Sequence, residues 1–148
     1  MVPAASARYV ATLVVAAVVL AGCVGTQPTD APQIPFEVRE KTYDLSLERV
    51  WNAVAAQVAS LDAEVRAGTQ ELLYLSATGP VPPEVARQID AQTMDGARLH
   101  YRIDYELVVE GVTVRLAFFV EDAETGTRSL VDAAEPYERF FGGVDQRL

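Results

Sequence analysis

The chain has 148 residues and a formal net charge of −9, with 21 acidic side chains against 12 basic ones. Such an acidic surface repels nucleic acid and anionic lipid headgroups, and the sequence contains no basic stripe with interleaved aromatic residues to offset it. Composition therefore argues against nucleic acid as a partner. The length suits a single domain with a sizeable core.

The N-terminal segment carries a targeting pattern. Arg8 precedes an apolar run from Tyr9 to Leu20, which closes on Ala21-Gly22-Cys23, and Cys23 is the only cysteine of the chain. The run is shorter than the roughly 20 residues that span a bilayer, and it suits the core of a signal peptide. The pattern resembles a bacterial lipoprotein signal, or lipobox. That resemblance implies that residues 1–22 are removed and that Cys23 receives diacylglycerol and a further acyl chain such as palmitate.

Two alternatives remain open for this segment. It could be an uncleaved membrane helix that begins near Pro3, or a plain secretory signal that leaves Cys23 as a free thiol. A lone thiol is unusual in an oxidising compartment, and acylation removes it. Two or three acyl chains would anchor the protein stably on a membrane. Val24 follows the cysteine where aspartate marks inner-membrane retention, so the resemblance implies an outer-membrane anchor facing the periplasm if the source is Gram-negative. A Gram-positive source would place it on the plasma membrane.

Residues 23–35 are predicted to form the lipidated N-terminus and a flexible tether, and residues 36–148 a single α+β domain. The tether contains three prolines and little apolar mass. As a flexible coil it spans about 20 Å, which keeps the domain near its membrane. All 21 acidic residues follow Cys23 and one of the 12 basic ones, Arg8, precedes it, so the mature chain carries −10. Membrane contact is therefore expected through the lipid alone.

The first half of the domain predicts a strand, a helix and a second strand. The first strand covers Phe36 to Asp44. Ser46 is a good N-cap for a helix whose apolar positions recur at helical spacing: Leu47, Val50, Trp51, Val54, Val58 and Leu61. Ala67-Gly68 ends this segment, and Glu71 to Ala77 forms the second strand.

Residues 79–97 contain three prolines, and a short helix is predicted from Pro83 over Glu84 to Met94. This stretch is either a surface crossover between strands or a mobile flap beside a groove.

Residues Arg98 to Glu121 predict a β-hairpin that turns at Glu110-Gly111. Apolar side chains alternate along both strands, and the predicted pairing sets Leu107 opposite Val114. The other face would pair Glu106 with Arg115 and His100 with Glu121.

The C-terminal part predicts a short strand over Thr127 to Val131 and a helix from Pro136, weakened by Gly142-Gly143. The order β-α-β-β-β-α predicts an antiparallel sheet of four to five strands with two helices packed on one face.

The entry to the first helix reads Ser-Leu-Glu-Arg-Val-Trp-Asn-Ala-Val from Ser46. With the element order, it resembles small bacterial lipoproteins that contain a helix-grip-like α/β domain, similar to the BamC-type domains of the β-barrel assembly machinery. The resemblance covers about Glu37 to Leu148. It implies an accessory or scaffold role in the cell envelope and no catalytic residues.

Reactive groups are few. His100 is the only histidine, and as a base it has no evident orienting partner, so it is interpreted as a surface residue. Glu121, Asp122 and Glu124 crowd one turn without the spacing of a calcium loop. Gly142-Gly143 lies inside a helical pattern and makes a poor phosphate loop. Trp51 is interpreted as core. The sequence predicts no catalytic, cofactor or metal site.

The predicted function is that of a lipid-anchored cell-envelope protein with a non-catalytic interaction or scaffold domain. Its partners would be the membrane, through the lipid on Cys23, and an envelope protein. The main alternative is a carrier or sensor that holds a small apolar ligand between the C-terminal helix and the sheet. A hydrolase using dispersed carboxylates is a third hypothesis.

Overall fold

Six strands form one antiparallel sheet, and three helices accompany it, in the part of the chain that the computed structural model describes, residues 39–89 and 95–148. The strands are β1 Glu40–Tyr43, β2 Glu64–Thr69, β3 Tyr74–Pro80, β4 Arg98–Val108, β5 Gly111–Glu121 and β6 Arg128–Leu130. The helices are α1 Leu47–Ser60, α2 Pro83–Ala86 and α3 Ala134–Asp145. The predicted α+β class with an antiparallel sheet is confirmed. The predicted signal peptide, tether and start of the first strand lie outside the described residues.

The β4–β5 hairpin lies at the centre of the sheet, and its predicted pairing is wrong by two residues. Leu107 pairs with Val112 instead of Val114, and the other pairs shift by the same amount. Side chains alternate with a period of two, so this shift leaves each one on its predicted face. The apolar face is still buried from Leu99 to Tyr105, while Val109 moves into the turn and is fully exposed.

Strand β5 is flanked on one edge by β4 and on the other by two short strands. This second edge pairs with β1 over residues 112–115 and with β6 over residues 119–121. In the stretch of β5 between these two paired ranges, the amide of Phe118 donates to the hydroxyl of Tyr137 at 3.2 Å. This hydroxyl donates to the carbonyl of Val131 at 2.8 Å. A buried side chain of α3 thus completes the hydrogen bonding where neither short strand reaches.

Helix α1 begins where the sequence predicts. The Ser46 hydroxyl accepts a hydrogen bond from the amide of Arg49 at 3.4 Å, as an N-cap does. The buried positions Val50, Val54 and Val58 follow the predicted helical spacing and pack into the core. The prediction succeeds because the N-cap and the spacing of the apolar residues both indicate the same helix.

Strand β2 was not predicted. The helix ends at Ser60, earlier than Ala67-Gly68, and the chain then forms β2 before β3, so the described order is β-α-β-β-α-β-β-β-α. Most of β2 is exposed, and it pairs only with β3, with a bulge between Val65 and Ala67. An exposed edge strand with a bulge needs no regular alternation of apolar residues, so periodicity could not reveal it.

Helices α1 and α3 cover the inner face of the sheet. The α3 side chains Tyr137, Phe140, Phe141 and Val144 are buried. The rings of Tyr101 and Phe118 on the sheet stack against them with centroids 4.7–6.3 Å apart. The helices approach closely at Gly143, where an added Cβ would overlap the side-chain amide of Gln57 unless that side chain moved. Helix α3 begins two residues before the predicted Pro136.

Candidate functional site

The outer face of the sheet, opposite the helices, carries a groove of about 680 Å³ that we call the outer groove. Four arginines line it: Arg66 on β2, Arg98 and Arg102 on β4, and Arg128 on β6. They are a third of the 12 basic residues of the chain. The sequence shows no basic stripe because these residues lie far apart along the chain, and only the sheet brings them together.

Carboxylates, two of them exposed and that of Glu121 partly buried, form ion pairs with three of the four arginines. Arg128 Nε lies 2.7 Å from Glu121, Arg102 Nε lies 3.1 Å from Asp104, and Arg66 Nη2 lies 2.9 Å from Glu64. Solvent-accessible ion pairs of this kind are weak, so they leave these arginines open to competition from an incoming anion.

Arg98 differs from the other three. It stands opposite Glu121 in the strand register but forms no ion pair with any described residue. The outer groove therefore contains one guanidinium group outside the ion pairs of the described residues, and its charge helps to lower the pKa of the nearby Glu121 carboxyl group.

His100 lies at the floor of the outer groove between two polar partners. Its Nδ1 is 3.2 Å from the Thr78 hydroxyl, and its Nε2 is 3.0 Å from Glu121 Oε2. The predicted pairing with Glu121 is made diagonally, because the residue directly across from His100 is Phe119. The imidazole is also less exposed than expected of a surface residue, with 19% of the side chain accessible.

The surroundings of His100 disfavour the charged form of its imidazole. Burial lowers the pKa of the imidazole, Arg128, Arg98 and Arg66 lower it further, and Glu121 opposes them. The lowered pKa favours a neutral imidazole at neutral pH.

Thr78, His100 and Glu121 stand in the order of a hydroxyl–imidazole–carboxylate chain, but the chain is incomplete, because Nε2 lies 3.0 Å from Glu121 without forming a hydrogen bond. Serine hydrolases use a chain of this type. Here the hydroxyl belongs to a threonine that is only 6% exposed, in the middle of a strand paired on both sides. A substrate carbonyl has no access to it, and we interpret the chain as a support that fixes the imidazole.

The acidic turn after β5 does not assemble a cation site. Glu121 points into the outer groove, whereas Asp122 accepts hydrogen bonds from the amides of Thr125 and Glu124, which lower the pKa of its carboxyl group. Across residues 39–89 and 95–148, no group of three or more His, Cys, Asp or Glu side chains could hold a metal ion.

The space between α3 and the sheet, where the alternative function places an apolar ligand, is filled by aromatic side chains. The cavity that remains there measures about 20 Å³, which is room for about one water molecule. Trp51 is partly buried, with its ring 5.0 Å from that of Tyr105. The Gly142-Gly143 pair lies inside α3, as predicted.

The segment predicted to be a crossover or flap contributes to a second cleft. Its helix α2 is shorter than predicted, four residues, and Val85 and Ile89 line a cleft of about 470 Å³ together with Leu130 and Val131. Residues 90–94, which continue this segment, lie outside the described residues.

Cys23 also lies outside the described residues, so its lipidation stays a prediction. Within the described ranges, no helix is long and apolar enough to span a membrane. A scan against protein-family models finds no match, and a search of curated proteins finds no similar sequence.

Proposed function

We propose that this chain is a lipid-anchored protein of the cell envelope whose domain binds another envelope component and catalyses no reaction. The anchor is supported by the apolar run that ends at Ala21-Gly22-Cys23. The binding role rests on the outer groove, because no helix of residues 39–89 and 95–148 covers this face and it concentrates basic side chains in an otherwise acidic chain.

The proposed location follows from the sequence around the lipidation site. With Val24 after Cys23, the anchor would lie in the outer membrane and the domain in the periplasm if the source is Gram-negative. The likeness to BamC-type envelope domains supports a scaffold or accessory role of the same kind.

A non-catalytic role is supported by the chemistry of the groove. Its only imidazole is held between Thr78 and Glu121, and the hydroxyl that it contacts is buried. The carrier alternative has less support, because the 20 Å³ between α3 and the sheet is far below the several hundred cubic ångströms of a ligand pocket.

Site-directed photocrosslinking in intact membranes tests the proposal. A photoreactive phenylalanine derivative replaces Tyr74 in the outer groove, and the matched control carries it at Glu138, an exposed position on α3. We expect a defined adduct with one envelope protein from position 74 only, and its loss when Cys23→Ser removes the anchor. Equal adducts from both positions, or none from position 74, would contradict the proposal.

A further inference from the structure

We propose that the outer groove binds an extended acidic segment of a partner protein, with Arg98 as the anchoring side chain. The proposal names the chemistry of the partner and rests on the proposed binding function. It combines the shape of the groove, the absence of an ion pair between Arg98 and any described residue, the environment of His100 and the adjoining apolar surface.

The groove is elongated across the sheet. Its lining comes from five neighbouring strands in the order β2, β3, β4, β5 and β6. Four inter-strand spacings of about 4.8 Å give a length of about 19 Å, which matches about six residues of extended peptide at about 3.3 Å per residue. A single small anion would occupy only part of this length.

Arginines lie at both ends and in the middle of the groove. Arg66 is at the β2 end, Arg128 at the β6 end, and Arg98 and Arg102 lie on the central strand β4. A guanidinium group binds a carboxylate through two parallel hydrogen bonds. Carboxylates spaced along a peptide could therefore pair with Arg98 first and then replace Glu64, Asp104 or Glu121 on the other arginines.

The arginines of the groove surround His100. Arg128, Arg98 and Arg66 all act to lower the pKa of the imidazole, and they face it from β6, β4 and β2. The opposing carboxylate is that of Glu121 on β5, and Thr78 on β3 contributes a neutral hydroxyl. A bound carboxylate near Arg98 would oppose the effect of the arginines on the imidazole, in the same direction as Glu121.

Apolar surface lies beside these charges. The Tyr74 ring lies under the Arg102 guanidinium group, 5.9 Å from its centroid, and Phe119 lines the groove next to Leu130, which is 45% exposed. Apolar residues between the carboxylates of a peptide could pack there. A nucleic acid strand carries no aliphatic side chains to pack against Leu130, so this apolar surface favours a peptide.

NMR of the single histidine tests the proposal directly. The full-length protein, purified from membranes in a non-ionic detergent without a histidine tag and labelled at histidine Cε1, is titrated with an acetylated and amidated hexaglutamate peptide. We expect a shift of the His100 signal, a rise in the imidazole pKa on saturation, and weaker binding at higher salt. Hexaglutamine should give no shift.

Two arginine variants locate the binding. Arg98→Gln should weaken hexaglutamate binding about fivefold to tenfold, because a charge-assisted hydrogen bond is lost. The control Arg147→Gln makes the same charge change near the end of α3 and should change binding less than about twofold.

Two competing probes make the result decisive. The proposal would be overturned by absence of a shift, by an equal effect of the two variants, or by tighter binding of inorganic phosphate or of a six-residue oligothymidylate than of hexaglutamate. Concentration-dependent dimerisation that Arg98→Gln abolishes would also overturn the proposal, because a second copy of this chain would then be the occupant of the groove. If the peptide fails to bind while the crosslink from position 74 still forms, the peptide proposal fails and the proposed function stands. If the crosslink is lost while the peptide still binds, only the proposed function is contradicted.

Discussion

Tyr137 and Phe118 join α3 to the centre of the sheet through one buried hydrogen bond. The Phe118 amide donates to the Tyr137 hydroxyl at 3.2 Å, and the two rings stack with centroids 4.7 Å apart. The same hydroxyl donates to the carbonyl of Val131, whose own amide donates to the Phe118 carbonyl at 2.9 Å. One tyrosine thus joins β5, the segment after β6 and α3.

Replacing this hydroxyl should destabilise the domain without disturbing its packing. Tyr137→Phe leaves a buried amide and a buried carbonyl without their partner, and we expect a loss of about 1–2 kcal/mol in the free energy of unfolding. The control Tyr74→Phe removes a hydroxyl on the outer face and should cost less than about 0.5 kcal/mol. Urea unfolding followed by the fluorescence of Trp51 measures both, and equal effects would contradict this role.

Replacing either of two glycines with alanine should change the free energy of unfolding, in opposite directions at the two positions. Gly111 has a φ of 142°, and a Cβ there would overlap the carbonyl oxygen of Tyr43, so Gly111→Ala should cost at least about 2 kcal/mol. Gly142 lies in α3, and a Cβ added there would meet nothing beyond its own helix backbone within 4 Å. Gly142→Ala should therefore stabilise the domain by about 0.5–1 kcal/mol. Thermal unfolding of the two variants gives the signs, and a stable Gly111→Ala protein would show that β1 does not pack as described.

The same glycine explains the error in the predicted hairpin. The sequence places Glu110-Gly111 in the turn because glycine tolerates positive φ. In the structure the turn is Val109-Glu110, and Gly111 begins β5 with its positive φ and with the carbonyl oxygen of Tyr43 where a Cβ would lie. The alternating pattern could not choose between the two registers, since both keep the same residues in the core.

Lowering the pH should reduce the free energy of unfolding through protonation of His100. The pKa of the imidazole lies below its ordinary value of 6.5 in the folded protein, because of burial and then the charges of Arg128 and Arg98. The unfolded chain therefore binds more protons as the pH falls below about 6.5, and the free energy of unfolding falls with it. This contribution is fully present above that pH and is lost as the pH falls towards the folded-state pKa.

Comparison with a His100→Gln variant isolates this effect. Because the chain has one histidine, the loss of unfolding free energy between pH 7.5 and 5.5 should be larger in the natural protein than in the variant. Urea unfolding at both pH values measures it. Identical losses would mean that the imidazole titrates as it does in the unfolded chain.

Some of the outer groove could have been predicted from the sequence. Alternation along β4 sets Arg98, His100 and Arg102 on one face, and this face was correctly predicted to be the polar one. The presence of Arg66 in the groove could not be predicted, because it lies on β2, whose sequence lacks a strand pattern. Arg128 lies on the short strand β6, and nothing in its sequence shows that β6 pairs beside Glu121.

Helix α1 shows the opposite case, in which local signals were sufficient. The Ser46 cap and the apolar spacing from Val50 to Val58 depend only on neighbouring residues, so the helix start and its buried face were both predicted correctly. Where an element depends on contacts between distant segments, as the edge strand β2 does, the sequence carries no comparable local signal.

Lipidation of Cys23 is the central claim, and intact-mass spectrometry of the protein extracted from membranes tests it most directly. We expect a polypeptide that begins at Cys23 and carries the added mass of a diacylglycerol group with or without an amide-linked acyl chain, and we expect Cys23→Ser to remain unprocessed or to leave the membrane fraction. A polypeptide that retains residues 1–22, or one that carries an unmodified Cys23, would contradict the account.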